Sequence, residues 1–250
     1  MLGREAQLSV VRLEALAPGR LTKVVLDILK KIGAAYKYIK TIASSEKSVV
    51  LLAHSCRLQK NVIIKKHFLE KNFNKELFGY ALFKDARTIR VLSSFADARI
   101  LVIEYIQGEL FSCTKENLRR IIRTCAYLHD VGIDNLTQVG LPTNDVVPDL
   151  CCSGNAFYPK NQAIMIGDTK IEHCLKQGPH FFMIDFENAQ LAGSVWFDIF
   201  LFARYPGFSK IFCDELRAII KFYCQLRRIP CSFYSNSSIE RIFSQTIGAI

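Results

Sequence analysis

Short apolar-rich runs recur early in the chain at Ala35–Ile42, Ser48–Ser55 and Asn61–Phe68, and again at Arg87–Ala96 and Ala98–Ile106. Their length and their content of Val, Ile and Tyr predict five β-strands. The polar run Ala43–Lys47 joins the first two as a hairpin turn. Between the third and fourth, Lys71–Asp85 changes to helical spacing, with Phe73, Leu77, Phe78, Ala81 and Leu82 on one face. Residues 8–31 also read as helical, with a break at Pro18-Gly19. From Thr114 a second helical stretch turns Leu118, Ile121, Ile122, Cys125 and Leu128 inward and Arg119, Arg120 and Arg123 outward. Residues 130–160 have no clear period, and a loop that long within a compact chain usually serves a function. Ile164–Gly167 and Phe181–Phe186 predict a pair of short strands, and the chain from Ser194 onward is largely helical. The pattern predicts an α+β chain in two parts: residues 1–110, an antiparallel sheet with one inserted helix, and residues 111–250, mainly helical with a long irregular loop.

Composition adds direction to this outline. Half of the 250 residues are hydrophobic, enough for a sizeable core. The formal charge is +10, and residues 1–110 carry 19 basic and 10 acidic residues against 14 and 13 in the remainder. The basic first part favours an anionic partner: a nucleotide, a glycolipid or the surface of an anionic membrane. Nucleic acid is not expected, because neither a recognition motif nor a basic and aromatic repeat is present. Nine cysteines without a CxxC pair, most inside apolar stretches, fit reduced, buried thiols and a cytoplasmic setting. Cys151 and Cys152 are neighbours in the irregular loop and do not form a metal site by themselves. The opening MLGREAQLSV has no apolar core of a secretory signal, and no apolar run is long enough to span a bilayer.

The candidate chemistry lies in the order of the polar residues set among these elements. A lysine ends the strand Val62–Lys65; a helix carries Glu76; Leu101–Glu109 contains Glu104; Leu128–Ile133 closes a helix; Asp149 and Asn155 lie in the loop; and Asp185 ends the strand Phe181–Ile184. Alone, Asp185 reads as a strand ending in a solvated turn. In this order the residues supply what phosphoryl transfer from ATP requires: a cation on the phosphates, a carboxylate to place it, and oxygen ligands for magnesium.

The sequence resembles the protein-kinase-like superfamily over roughly residues 37–204, closest to the aminoglycoside phosphotransferase and lipopolysaccharide core kinase branches. Val62–Lys65 looks like the VAIK strand, Leu101–Glu109 like the inter-lobe segment, Leu128–Ile133 like the end of the helix before the catalytic loop, and Ile184–Ala189 like the metal-binding DFG position. Ser194–Arg204, with Asp198, resembles the next helix, whose buried aspartate braces the catalytic loop. The resemblance implies a bilobal fold with an antiparallel-sheet N-lobe holding one helix and a mainly helical C-lobe. It implies ATP and Mg2+ as cofactors, with Lys65 on the phosphates, Glu76 as its partner and the backbone of Glu104, Tyr105 and Ile106 on the adenine. Asn155 and Asp185 become the metal ligands and Asp149 the catalytic base, with Asp145 and Asp134 as rivals. Period-two alternation lets only one of Lys65 and Lys66 face the cleft, and the VAIK alignment selects Lys65. Glu76 is preferred to Glu70, which is nearer in sequence but precedes the helix.

Two features depart from the family. The turn in Ile42–Val50 lacks glycines, leaving the hydroxyls of Ser44, Ser45 and Ser48 for phosphate contacts. No HRD or HGD triplet occurs; in Pro148–Tyr158, the nearest candidate, Asp149 and Asn155 lie one residue further apart than in the family's HGDLHPGN. The expected function is an ATP- and magnesium-dependent phosphotransferase acting on a hydroxyl of a small molecule, sugar or glycolipid. The alternative is a catalytically inactive pseudokinase that acts as a binding module.

Overall fold

The computed structural model describes residues 17–85, 88–109, 111–138, 164–191, 194–231 and 236–248. The chain divides into two units, Met1–Phe73 with Leu92–Tyr105, and Asn74–Val91 with Ile106–Ile250. It is an α+β protein with one five-stranded sheet, one two-stranded sheet and six α-helices among the described residues. None of these helices is long and apolar enough to cross a membrane.

The first unit is built on β1 (Tyr36–Ser44), β2 (Ser48–Ser55), β3 (Lys60–His67), β4 (Val91–Phe95) and β5 (Ile100–Glu104), in the order β1-β2-β3-β5-β4. The pairs β1–β2, β2–β3 and β3–β5 are antiparallel. Successive side chains of each strand face opposite sides of the sheet. Leu51, Ile64 and Val102 form one row across three strands, and with Val49, Ala53, Val62 and Ile100 they bury one face. The helix α1 (Pro18–Ile32) covers that face with Ile28 and Ile32. It starts with proline at its first position, where a missing N–H costs nothing, and ends at Gly33, whose φ of 72° suits a residue without Cβ. Residues 8–16 of the predicted helix lie outside the described residues. Val50, Lys65 and Leu101 form the neighbouring row on the opposite face, so Lys65 is buried away from α1. Edge strand β1 is largely exposed and carries two register shifts, a device that discourages pairing with another chain.

The inserted helix α2 (Glu70–Leu82) forms where predicted, but its buried face is turned from the expected one. Phe73, Glu76, Gly79, Tyr80 and Leu82 are buried, while Ala81 is exposed and Leu77 and Phe78 are half-buried. Hydrophobicity misplaces the face because one of its buried members is a glutamate.

In the second unit, α3 (Lys115–Gln138) buries Leu118, Ile121, Ile122, Cys125 and Leu128 as expected. It runs beyond Ile133, where the sequence reading ended it, because Gly132 packs against Phe83 and Ile164 and so belongs to the core rather than to a cap. The short strands are β6 (Cys174–Gln177) and β7 (His180–Met183), paired antiparallel. Ile164–Gly167, predicted as the partner strand, makes only one bridge, Met165 with Gln190. The helices α4 (Val195–Phe200), α5 (Pro206–Arg227) and α6 (Asn236–Gly248) complete the unit around an aromatic core. Trp196 stacks on Phe200 at 5.6 Å and lies 4.9 Å from Tyr223, and Phe243 meets Phe200 edge-on at 5.1 Å.

Candidate active site

Asp198 organises the second unit. It sits in α4, fully buried, and a buried carboxylate survives only with hydrogen bonds to every oxygen. Oδ2 accepts the Ile166 N–H at 2.7 Å and contacts His129 Nε2 at 3.0 Å, while Oδ1 accepts the Gly167 N–H at 2.9 Å. The Thr169 hydroxyl donates to the Asp198 carbonyl at 2.6 Å. The chain of contacts continues inward: His129 Nδ1 meets the Tyr223 hydroxyl at 2.8 Å, Arg227 donates to that hydroxyl at 3.0 Å, and Arg227 Nε donates to Asp130 at 3.0 Å. Burial and the Asp198 charge together push the neighbouring Cys125 thiol well above its ordinary range.

What Asp198 holds is the turn that presents Asp168. Gly167 has φ of 99°, and a Cβ there would lie 2.3 Å from the Asn188 carbonyl oxygen, so only glycine fits. The segments before Asp168 and after Asp185 are laced together. Met165 and Gln190 exchange backbone hydrogen bonds of 2.9 and 3.1 Å, and the Ile184 N–H donates to the His173 carbonyl at 2.9 Å.

Asp185 leaves β7 as expected and adopts a left-handed conformation, φ 66° and ψ 64°, before the 3-10 turn Phe186–Asn188. Aspartate tolerates this region better than most residues, and such conformations concentrate at functional sites. Phe186 anchors the turn: its ring lies 5.0 Å from Tyr80 and 5.1 Å from Phe83, and its backbone leaves no space for a Cβ at Gly79.

His173 stands between the two aspartates. Its Nδ1 contacts the Asp168 carbonyl at 2.7 Å and its Nε2 lies 3.4 Å from Asp185 Oδ2. Lys170 pairs with the Asp168 carboxylate at 2.5 Å. Carboxylate oxygens of Glu76 and Glu187 lie within 4.8 Å of one another nearby. The local field is negative: burial, then the charges of Glu76 and Asp185, hold the Tyr80 phenol well above its ordinary range. Tyr205 steadies the same segment, donating to Glu172 at 2.6 Å and accepting the Ile171 N–H at 3.1 Å. Asp168, His173 and Asp185 are each about a fifth to a quarter exposed, enough to meet a ligand.

The residues expected from sequence fall into three groups. Asp185 lies at the exit of β7 and Asp198 is fully buried in α4. Asp149, Asp145 and Asn155 lie outside the described residues, and Asp134 sits exposed on α3. Lys65, Glu104 and Tyr105 belong to the first unit, and Glu76 and Ile106 to the second. Lys65 is buried and its neighbour Lys66 is half-buried, donating to the Ala98 carbonyl. Glu104 pairs with Lys60 at 3.1 Å, and Glu76 is buried whereas Glu70 is exposed at the start of α2. Of the three serines expected to contact phosphate, Ser45 uses its hydroxyl to accept the N–H groups of Lys47 and Ser48 at 3.2 Å.

Asp168, Lys170 and His173 were not foreseen. The signal that could have found them is the Gly167-Asp168 pair directly after an apolar run, with His173 five positions further on. No protein-family model matches the sequence, and no curated protein matches it.

Proposed function

We propose that the chain is a phosphotransferase of protein-kinase-like, bilobal fold that moves the γ-phosphoryl group of ATP to a hydroxyl of a small molecule, sugar or glycolipid. The observation that carries this reading is the pair Asp168 and Asp185, held on two laced turns with His173 between them. Asp168 orients the acceptor hydroxyl and takes its proton as the new oxygen–phosphorus bond forms. The bond to the bridging oxygen breaks, ADP leaves with that electron pair, and Asp168 returns the proton to solvent. Lys170, beside Asp168, balances charge on the transferred group.

The Asp185 carboxylate supplies oxygen to a divalent cation, magnesium in the expectation from sequence, with the His173 ring nitrogen 3.4 Å away. When bound, that cation neutralises phosphate charge. Lys65 is the proposed cation on the α- and β-phosphates, and the backbone at Glu104–Ile106 the proposed adenine contact.

Calorimetry of ATP binding tests this directly. Magnesium should tighten ATP at least about tenfold, or about 1.4 kcal/mol, and Asp185→Asn should remove the effect. Equal affinity with and without the cation in the wild type would sink the proposal.

A second reading, nucleotide binding without transfer, is favoured by the β1–β2 turn, whose Lys47 and Ser48 N–H groups point at Ser45 rather than outward. Binding without any phosphorylated product would select it.

Exposed Lys23, Lys30, Lys31, Lys37 and Lys40, together with exposed Leu26, Ile39 and Ile42, support peripheral attachment of the first unit to the cytoplasmic face of an anionic membrane. Co-sedimentation with phosphatidylserine vesicles at low salt, released at high salt, is the expected result. Absence of binding at low salt would remove membrane attachment and leave the chemistry standing.

A further inference from the structure

An imidazole faces Asp185. His173 Nδ1 lies 2.7 Å from the Asp168 carbonyl oxygen, and since a carbonyl only accepts, Nδ1 carries the proton of that hydrogen bond. In the neutral ring the lone pair then belongs to Nε2, which faces Asp185 Oδ2 at 3.4 Å. Two atoms bound side by side to one small divalent cation lie about 3 Å apart, given bonds of about 2.1 Å. The pair is therefore close to ligating separation without rearrangement. A ring N–H fixed by a backbone carbonyl is also the usual support for a metal-binding histidine, because it sets both tautomer and orientation.

We propose that His173 Nε2 and Asp185 Oδ2 together form a mixed nitrogen and oxygen cation site that prefers a first-row transition ion, with Mn2+ as its probe, over magnesium. The reason is ligand chemistry. Magnesium is a hard ion that favours oxygen donors and gives up its water reluctantly, whereas imidazole is a good ligand for the transition series. The site deepens the phosphotransferase reading and rests on it for the nucleotide; the contact between cation and His173 is a property of the protein alone. The rival arrangement is a doubly protonated ring lying as an ion pair between the Asp168 carbonyl and Asp185, which leaves no lone pair for a metal.

Electron spin resonance of Mn2+ bound to the full chain separates the two. The wild type should show nitrogen coupling from one imidazole in the pulsed spectrum, and should bind Mn2+ at least about tenfold more tightly than Mg2+ in competition, about 1.4 kcal/mol. His173→Asn should remove the nitrogen signal and bring the two affinities together, since an amide oxygen serves either ion and the amide N–H can still reach the Asp168 carbonyl. Absence of nitrogen coupling in the wild type overturns the proposal without recourse to any variant, as does an unchanged Mn2+ to Mg2+ ratio in a folded His173→Asn. Either result can stand beside intact ATP-dependent transfer, so failure of the cation site is distinguishable from failure of the phosphotransferase reading.

Discussion

Asp168→Asn should lower ATP-dependent transfer by about 10²- to 10⁴-fold, the range expected when a general base is removed, while leaving nucleotide affinity near the wild-type value. The substitution keeps the size of the side chain and its ability to hydrogen-bond, but removes the proton acceptor and the partner of Lys170. The backbone around it is held by other atoms: Asp198 fixes the N–H groups of Ile166 and Gly167, and the Asp168 carbonyl, not its carboxylate, meets His173. A loss of rate without a loss of folding is therefore the specific expectation. Asp149→Ala provides the contrast and should retain transfer under the proposal that Asp168 is the base. If Asp149→Ala is inactive and Asp168→Asn is active, the base has been misassigned and the turn braced by Asp198 serves another purpose.

Asp198→Asn should destabilise the fold by about 3–5 kcal/mol, the cost of breaking a buried charged network by changing one member. Both carboxylate oxygens accept backbone N–H groups, one each from Ile166 and Gly167. An asparagine must point its amide N–H at one of them, which sets two donors face to face in a fully buried place. The same substitution disturbs the contact to His129 and, through it, the Tyr223, Arg227 and Asp130 chain. For a chain of this size each kcal/mol shifts Tm by about 2–4 °C, so a fall of roughly 6–20 °C is expected. Calorimetric melting measures it. Arg20→Ala, which breaks an exposed pair with Glu46, should leave Tm nearly unchanged. A similarly small effect for Asp198→Asn would mean that the network does not hold the Asp168 turn.

The sheet was legible because its strands are short apolar-rich runs set apart by polar turns and one helical stretch. Parity allowed only one of Lys65 and Lys66 to face the cleft and the VAIK alignment chose Lys65, which is the more deeply buried of the two. Asp198 was legible as a charge inside an apolar helix, which calls for a hydrogen-bonded partner, whereas Asp185 stood out only through the order of the polar residues around it. Where buried faces include charge, hydrophobic pattern misled: Glu76 on the inner side of α2 displaced the expected face. Ile164–Gly167 is an apolar run that reads as a strand, yet its burial comes from supporting a turn, with Ile164 and Ile166 in the core and the backbone tied to Asp198. Periodicity cannot distinguish those two uses of four apolar residues. Asp168 follows that run directly, so its place on a braced turn is not visible in the pattern. His173 comes close to Asp168 and Asp185 only through the fold, which its sequence neighbourhood does not reveal. The network of His129, Tyr223 and Arg227 joins residues up to 97 positions apart, which no local pattern reveals.

The most direct test of the central claim is the stoichiometry of transfer: ADP released and phosphorylated acceptor formed, measured together from labelled ATP with a panel of sugars and glycolipids and a divalent cation present. The account predicts one phosphorylated acceptor for each ADP in the wild type, with both products lost in Asp168→Asn and Asp185→Asn. ATP that stays intact with every acceptor, or ADP formed equally by both variants, would contradict it.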